Sequence, residues 1–178
     1  MKKAILLLTL LIFLIPASYS QEKPSSADEI MQEAMKIAKE EKKDIFLMFH
    51  ASWCGWCKRM DAAMKDESCK DFFDNNFVTI HMVVKESAAN KHLENPGADE
   101  FLAKYNGDKA GIPFWLIFDK NGKLIADSFM TPGDLRSNIG CPAQDEEIAA
   151  FISKLKLAAK MSQDEENSIL ERFKQNRN

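Results

Sequence analysis

The amino-acid sequence predicts an α/β domain in which helices flank a mixed central sheet on both faces. Three apolar runs have the length of buried strands and span Asp44–His50, Phe77–Val84 and Phe114–Phe118. Segments with helical periodicity separate the first two runs, which favours parallel pairing between them. The tight-turn pair Asn121-Gly122 follows the third run and predicts a hairpin with a strand over Lys123–Phe129. Because a hairpin adds antiparallel pairing, the sheet is expected to be mixed.

Two capping boxes mark the first and last predicted helices. Ser26 and Glu29 precede a helical repeat of apolar residues, so we expect a helix over about Ala27–Glu41. Ser162 and Glu165 open the last helix in the same way. Other helices are expected at about 54–65, at Phe72 and Phe73, at about 99–105, and from Pro142 onward, with Ile148, Phe151, Ile152, Leu155 and Leu157 as the apolar face of that one.

The first segment is interpreted as a secretory signal peptide. Two lysines precede an apolar run of 12 residues, Ala4–Ile15, and small residues follow up to Ser20, which is the order of parts in such a signal. The run is shorter than the ~20 residues that span a bilayer, and an uncleaved membrane anchor is the alternative. We therefore expect a signal peptide over 1–20 and a domain with C-terminal helices over 21–178, without a membrane anchor after cleavage. The lysine-rich start is typical of a bacterial signal and indicates export to the periplasm.

The charge of the expected mature chain argues against two classes of partner. Removing the signal peptide takes away two of the 24 basic residues and none of the 27 acidic ones, so the net charge becomes −5. A chain with this balance offers no basic stripe for nucleic acid and no polybasic patch for anionic lipids. We therefore expect no nucleic acid and no membrane surface among its partners.

The expected mature chain has four cysteines: Cys54, Cys57, Cys69 and Cys141. Export places them where disulfides persist, but four are too few for a scaffold held together by disulfides. Cys69 and Cys141 either form a second disulfide or are single buried apolar residues. A zinc site would need a second pair of ligands, and a c-type haem would need a histidine where Lys58 stands. We therefore predict no metal and no other cofactor.

Cys54 and Cys57 are the candidate catalytic residues. They directly follow the first predicted strand and begin a predicted helix. At a helix N-terminus, unpaired backbone N–H groups and the helix dipole favour the thiolate, which is the nucleophilic form of cysteine. The second cysteine of such a pair lies on the same helix face and can attack a mixed disulfide. We therefore assign Cys54 as the nucleophile and Cys57 as the resolving thiol.

The residues around this pair resemble the active-site segment of thioredoxin-like proteins. The resemblance is carried by Phe49–Lys58 (FHASWCGWCK), by Gly111-Ile112-Pro113 before an apolar strand and by the Asn121-Gly122 hairpin, and it extends over roughly 44–129. It implies a thioredoxin fold with helical extensions at both ends. It also implies that a cis peptide bond precedes Pro113, that this proline faces the cysteines, and that the backbone at Ile112 pairs with an extended substrate. An ordinary trans proline at the start of a strand is the alternative.

Some residues depart from the family's usual pattern. Thioredoxins proper usually carry Gly-Pro between the cysteines, whereas this chain carries Gly-Trp. Trp56 adds no charge that would stabilise the thiolate strongly, as a strong oxidant requires, and this favours a reductase. The family's buried acid, six residues before the first cysteine, is replaced by Met48. Either His50 or His81 substitutes for that acid, or both are structural or solvent-facing histidines.

The sequence therefore predicts an exported thiol–disulfide oxidoreductase. Its partners would be protein thiols and disulfides, together with a redox partner that donates electrons. Trp53 and Trp56 would form an apolar platform for substrate beside Ile112 and Pro113, and packing against the proline loop is their alternative role. The polar segment 85–97 either shapes a substrate groove or is a solvated insertion. Two other functions stay open: a binding module in which the cysteine pair is a structural disulfide, and a maturation factor dedicated to one exported protein.

Overall fold

Strands in the described part of the chain form one mixed sheet. The computed structural model describes residues 23–131 and 137–177, so the predicted signal peptide lies outside the described residues. The strands are β1 (Asp44–His50), β2 (Phe77–Val83), β3 (Phe114–Phe118) and β4 (Leu124–Asp127). Their order across the sheet is β2-β1-β3-β4. β1 pairs parallel with β2 and antiparallel with β3, and β3 pairs antiparallel with β4, which confirms the predicted mixed sheet.

Helices cover both faces of this sheet. Within the described residues, one α-helix precedes the first strand, and two α-helices follow the last strand. Both predicted capping boxes are present: the N–H of Glu29 donates to Ser26 Oγ, and the N–H of Glu165 donates to Ser162 Oγ, each at 3.3 Å. The helices are α1 (Ala27–Glu41), α2 (Gly55–Met64), α3 (Lys70–Asn76), α4 (Ala98–Lys104), α5 (Asp145–Ala158) and α6 (Gln163–Lys174). Short 3₁₀ segments lie at Ala88–Leu93, Gly107–Lys109 and Gln175–Arg177.

Strand β1 is buried on both faces, which explains its continuous apolar run. Phe46 and Met48 belong to a core cluster that includes residues of α2, α5 and α6, whereas Ile45, Leu47 and Phe49 belong to a second cluster with residues of α1 and α4. Each of these five side chains is at most 1% exposed. A strand covered by helices on both sides has no solvated face, so it needs no alternation of apolar and polar residues.

Helix α5 begins later than the sequence predicted. The prediction started this helix at Pro142, whereas the structure starts it at Asp145. The carboxylate of Glu147 accepts hydrogen bonds from the backbone N–H groups of Ala143 at 2.9 Å and Gln144 at 3.0 Å. These bonds cap the helix at Gln144, and the proline remains in the preceding segment.

Leu157 does not belong to the buried face of α5. Its side chain is 67% exposed, whereas Leu155 is fully buried. Two positions along an α-helix correspond to a rotation of roughly 200°, so the two leucines lie on nearly opposite faces. The prediction was wrong for this residue because the angular position of a side chain around the helix, and not its apolar character alone, determines whether it is buried.

Candidate active site

The loop after β1 places Cys54 at the N-cap of α2. The backbone N–H of Cys54 donates to the carbonyl of Ala51 at 3.0 Å, which forms the turn between strand and helix. Cys54 Sγ accepts a hydrogen bond from the backbone N–H of Cys57 at 3.1 Å. The sulfur thereby satisfies one of the N–H groups that the first turn of a helix leaves unpaired. Cys54 and Cys57 form a disulfide with an S–S distance of 2.07 Å.

The loop before β3 lies against this disulfide. The Ile112–Pro113 peptide bond is cis, as the resemblance implied. The carbonyl oxygen of Ile112 lies 3.6 Å from Cys54 Sγ. A disulfide sulfur carries no hydrogen, so in the oxidised protein these two atoms are only in contact. Cys54 can donate a hydrogen bond to this carbonyl only when it is a thiol. The fold thus brings the proline loop to the cysteine pair across 58 residues of sequence.

Two tryptophans lie next to the cysteines, one before Cys54 and the other between Cys54 and Cys57, and different groups hold them. Trp53 is 58% exposed and Trp56 is 49% exposed. The indole N–H of Trp53 donates to the carbonyl of Lys85 at 2.9 Å, which ties it to the segment after β2. The guanidinium of Arg59 lies over the Trp56 ring, 4.9 Å from its centroid, in a cation–π contact. Both indoles therefore present a large apolar surface to solvent while one edge or face is anchored.

A groove of about 330 Å³ lies next to Trp56 and the proline loop. Its first wall consists of Trp56, Ile112 and Pro113. The other lining residues are Asn138, Ile139, Gly140, Cys141, Ala143, Gln144 and Glu147. We call the segment 138–144, which contains most of them, the second wall. The side-chain amide of Asn138 donates to the carbonyl of Pro113 at 3.1 Å, so the two walls are joined by a hydrogen bond. The second wall could not be predicted from the sequence, because nothing in the local pattern of residues 138–144 indicates contact with the proline loop.

Sequence reasoning also missed a buried acid that holds the active-site loop. Glu86 is 7% exposed, and its carboxylate accepts hydrogen bonds from the backbone N–H of Ser52 at 2.5 Å and from Ser52 Oγ at 2.8 Å. The bond from the Ser52 N–H lowers the pKa of Glu86 although desolvation opposes it. The start of the segment 85–97 thus supports the loop that carries the cysteines, and no residue of this segment lines the groove. An acidic residue in a polar segment offers no sequence signal for such a role.

Comparison with known protein families identifies the fold. A family model described as thioredoxin-like matches residues 29–120, a little more than half of the 178 residues. The chain belongs to the thioredoxin-like family. The matched part includes β1, the cysteine pair and the proline loop, whereas the second wall of the groove and helices α5 and α6 lie beyond it.

Several solved structures are similar to this thioredoxin-like chain. A disulphide isomerase from Xylella fastidiosa Temecula1 is 18% identical, with a TM-score of 0.49 over 89% of this chain and 97% of that chain. A DsbH oxidoreductase is 25% identical, with a TM-score of 0.43 over 86% and 95%. The oxidised C-terminal domain of Neisseria meningitidis DsbD is 23% identical, with a TM-score of 0.41 over 58% and 84%. A comparison with curated proteins finds no match.

Met48 occupies the position of the family's buried acid. Its side chain is 1% exposed and belongs to the same core cluster as Cys54 and Cys57. A thioether has no proton to exchange, so this position contributes packing and no acid–base chemistry. In this respect the chain departs from the thioredoxin pattern, as its sequence indicated.

Two histidines and an aspartate form a polar cluster beside α2. The rings of His50 and His81 are 5.2 Å apart, and His81 Nε2 lies 2.9 Å from Asp61 Oδ1. The pKa of His50 is lowered, mainly by burial and to a smaller extent by the charge of His81. The charges of Asp61 and Glu86 raise it but are outweighed. Burial alone would raise the pKa of Asp61, but the hydrogen bond and charge of His81, together with Lys65 and His50, lower it overall. Near neutral pH the cluster therefore holds an ionised Asp61 and a neutral His50.

The other two cysteines are free and buried. Cys69 Sγ donates to the carbonyl of Ser168 at 3.7 Å, and Cys141 Sγ accepts from the side-chain amide of Asn176 at 3.4 Å. Burial raises the pKa of Cys69, and it raises the pKa of Cys141 to about 12. The second disulfide that the sequence left open is therefore not formed. Within residues 23–131 and 137–177, no group of three or more His, Cys, Asp or Glu side chains is arranged to hold a metal ion.

We expect the reduced native protein to react at no more than two of its four thiols. A thiol with a pKa of about 12 has only about one molecule in 10,000 as thiolate at pH 8, and burial excludes the reagent as well. Titration with 5,5′-dithiobis(2-nitrobenzoic acid), with and without guanidinium chloride, measures this. The unfolded reduced protein is the control and should react at all four thiols. Rapid reaction of a third thiol in the native protein would contradict the expectation.

Proposed function

We propose that this protein is an exported thiol–disulfide oxidoreductase that exchanges electrons with protein disulfides through Cys54 and Cys57. The observation that carries the proposal is the position of Cys54 at the N-cap of α2, where the N–H of Cys57 donates to its sulfur at 3.1 Å. In the reduced protein, this N–H and the helix dipole would stabilise the Cys54 thiolate. Membership of the thioredoxin-like family supports the same role.

In the reductive direction, the Cys54 thiolate attacks one sulfur of a substrate disulfide. The substrate S–S bond breaks, a mixed disulfide forms, and the other substrate sulfur leaves as a thiolate that takes up a proton. Cys57 then loses its proton and attacks Cys54 Sγ, which releases the second substrate sulfur and forms the Cys54–Cys57 disulfide seen here. Two electrons have passed to the substrate. A dithiol of a redox partner must then reduce the pair by the same exchange.

The substrate would bind to the surface around the disulfide. We assign substrate binding to Trp53, Trp56, Ile112 and Pro113. The two half-exposed indoles supply apolar contact area beside the sulfurs, and the proline loop lies against Cys54. The groove of about 330 Å³ continues from Trp56 and the proline loop and has room for several side chains of an extended polypeptide.

The direction and place of the reaction are also part of the proposal. Trp56 brings no charge that would strongly stabilise the thiolate, and this favours a reductase over a strong oxidant. The signal-like segment 1–20 supports export to a bacterial periplasm, with 21–178 as the mature domain. Among the residues that the structure describes, no helix has the length and apolar character needed to cross a membrane.

A binding module with a structural disulfide is the second candidate function. The observation that favours it is the burial of Cys54, which is only 3% exposed in the disulfide form. Such a module would keep its cysteines oxidised, and structural disulfides in exported proteins typically have reduction potentials below about −300 mV. A maturation factor dedicated to one exported protein would share the exchange chemistry but act on a single substrate.

The reduction potential and an insulin assay separate these functions. For the active enzyme we expect a potential above about −300 mV, measured by equilibration with dithiothreitol. We also expect the protein to accelerate the reduction of insulin disulfides by dithiothreitol. A lower potential, with no acceleration and no alkylation of Cys54 after mild reduction, would instead establish a structural disulfide. A potential in the active range without insulin reduction would favour the dedicated factor.

A further inference from the structure

The C-terminal turn, Gln175–Arg177, contacts the residue that holds Trp56. The backbone carbonyl of Asn176 accepts a hydrogen bond from Arg59 Nη1 at 2.7 Å, although 117 residues separate the two positions. The same guanidinium lies over the Trp56 ring, 4.9 Å from its centroid. Arg59 therefore links the C-terminal turn directly to the first wall of the groove.

The same turn also holds the second wall. Asn176 is 4% exposed, and its side-chain amide donates to the carbonyl of Pro142 at 3.1 Å and to Cys141 Sγ at 3.4 Å. Arg177 Nε donates to the carbonyl of Ala143 at 2.5 Å, and its Nη2 pairs with the carboxylate of Asp145. Three consecutive residues of the second wall are thus bonded to two residues of the turn: Pro142 and Ala143 through their backbone carbonyls, and Cys141 through its side-chain sulfur.

The turn is itself anchored to the body of the domain. Arg172 Nη1 donates to Asn176 Oδ1 at 3.3 Å, and Arg172 Nε pairs with Asp66 Oδ2 at 2.8 Å. Hydrogen bonds from Ser68 and then from Arg172 lower the pKa of Asp66 to about 2, so this carboxylate stays ionised over the whole physiological range. The turn is therefore tied to the segment that follows α2 as well as to both walls of the groove.

We propose that the C-terminal turn is a positioning element, which sets the orientation of Trp56 and of the second wall and so determines how tightly an extended polypeptide binds in the groove. Arg59, Asn176 and Arg177 are its positioning residues. The proposal rests on the proposed function, since it concerns the substrate of that site. The turn and the second wall lie outside residues 29–120, the part that matches the thioredoxin-like family. The strength of substrate binding is thereby assigned in part to a segment of this chain that lies outside the family match.

The first test measures the order of the Trp56 side chain by ¹⁵N relaxation of its indole N–H. Arg59→Met and Arg177→Met should each lower the order parameter from a rigid value of about 0.85 to a flexible value below about 0.6. Trp53 is the internal reference, because its indole is held by the carbonyl of Lys85 and should not change. Lys39→Met, at an exposed position of α1, is the matched control and should change neither tryptophan.

The second test measures turnover of insulin with dithiothreitol as the donor. Each of the two variants should raise KM about fivefold with kcat unchanged, the pattern expected when uniform substrate binding is lost. The double variant should raise KM by less than the product of the single effects, because both residues act through one turn. The reduction potential and the rate with a small disulfide, 5,5′-dithiobis(2-nitrobenzoic acid), should stay at the wild-type values.

The two tests can overturn the positioning of Trp56 and the effect on substrate binding separately. Unchanged order of Trp56 in both variants would overturn the positioning role. A mobile Trp56 with an unchanged KM would overturn the effect on substrate binding. A shifted reduction potential in Arg59→Met would mean that its charge acts on the sulfurs, which also contradicts the proposal. If the wild-type protein reduces no insulin and its reduction potential lies in the range typical of structural disulfides, the proposed function fails, and the order of Trp56 alone then decides whether the turn positions it.

Discussion

Replacing Cys54 with serine is expected to lower insulin reduction to the rate of dithiothreitol alone. A serine hydroxyl stays protonated near neutral pH and cannot form a disulfide, so the mixed disulfide with substrate never forms. The turbidity of reduced insulin, followed over time, measures the loss. Cys69→Ser is the matched control and should keep wild-type activity, because Cys69 lies outside the groove and a serine there can still donate to the carbonyl of Ser168.

The complementary variant, Cys57→Ser, distinguishes the roles of the two cysteines. Without the resolving thiol, the mixed disulfide on Cys54 should accumulate and be visible on non-reducing gels. Mass spectrometry of the trapped species identifies the natural substrates, and a single trapped protein would point to a dedicated factor. Substantial insulin reduction by Cys54→Ser would show that Cys54 is not the nucleophile, and trapping by Cys54→Ser instead of Cys57→Ser would reverse the assignment.

Replacing Phe46 with alanine is expected to lower the free energy of unfolding by about 3–5 kcal/mol, the range for truncating a buried phenylalanine. Phe46 is fully buried at the centre of β1. Its ring lies 5.7 Å from Trp115 and 6.1–6.3 Å from the rings of Phe73, Phe77 and Phe151, so the variant loses contacts to β3, α3, β2 and α5 together. Urea unfolding of the oxidised protein, followed by circular dichroism, measures the change.

Leu157→Ala is the control for this loss of stability. Leu157 is also apolar but 67% exposed on α5, so its truncation should change the free energy of unfolding by no more than about 0.5 kcal/mol. A cost of Phe46→Ala below about 1.5 kcal/mol would mean that the surrounding rings collapse into the space, and that they do not form the tightly packed core described here. The two variants together test whether burial, and not apolar character alone, determines the effect.

Local patterns in the sequence predicted the elements that carry the cysteine pair. The predicted strand Asp44–His50 and the predicted helix Ala27–Glu41 have the bounds of β1 and α1. Capping boxes, apolar periodicity and the position of Cys54 before a helix depend on residues only a few positions apart, so they can be read directly. The cis bond before Pro113 was implied by resemblance to a family, because no local pattern distinguishes it from a trans bond.

Contacts between distant residues could not be predicted in this way. Ser52 and Glu86 are 34 residues apart, and Arg59 and Asn176 are 117 residues apart. Neither partner of these contacts shows a signal in its own neighbourhood, because an exposed polar residue and a buried, hydrogen-bonded one look alike in sequence. The same limit explains why the sequence could not show that His81 lies beside Asp61, a residue 20 positions away.

For the cysteine pair, the sequence by itself determined that Cys54 lies between a buried strand and a helix, because strand and helix signals and the cap are encoded within about fifteen neighbouring residues. Only the tertiary structure decided that Cys54 is 3% exposed, that the Ile112 carbonyl lies against its sulfur, and that a second wall faces Trp56. These features arise where segments that are distant in sequence pack together, and their geometry depends on the packing of the whole core.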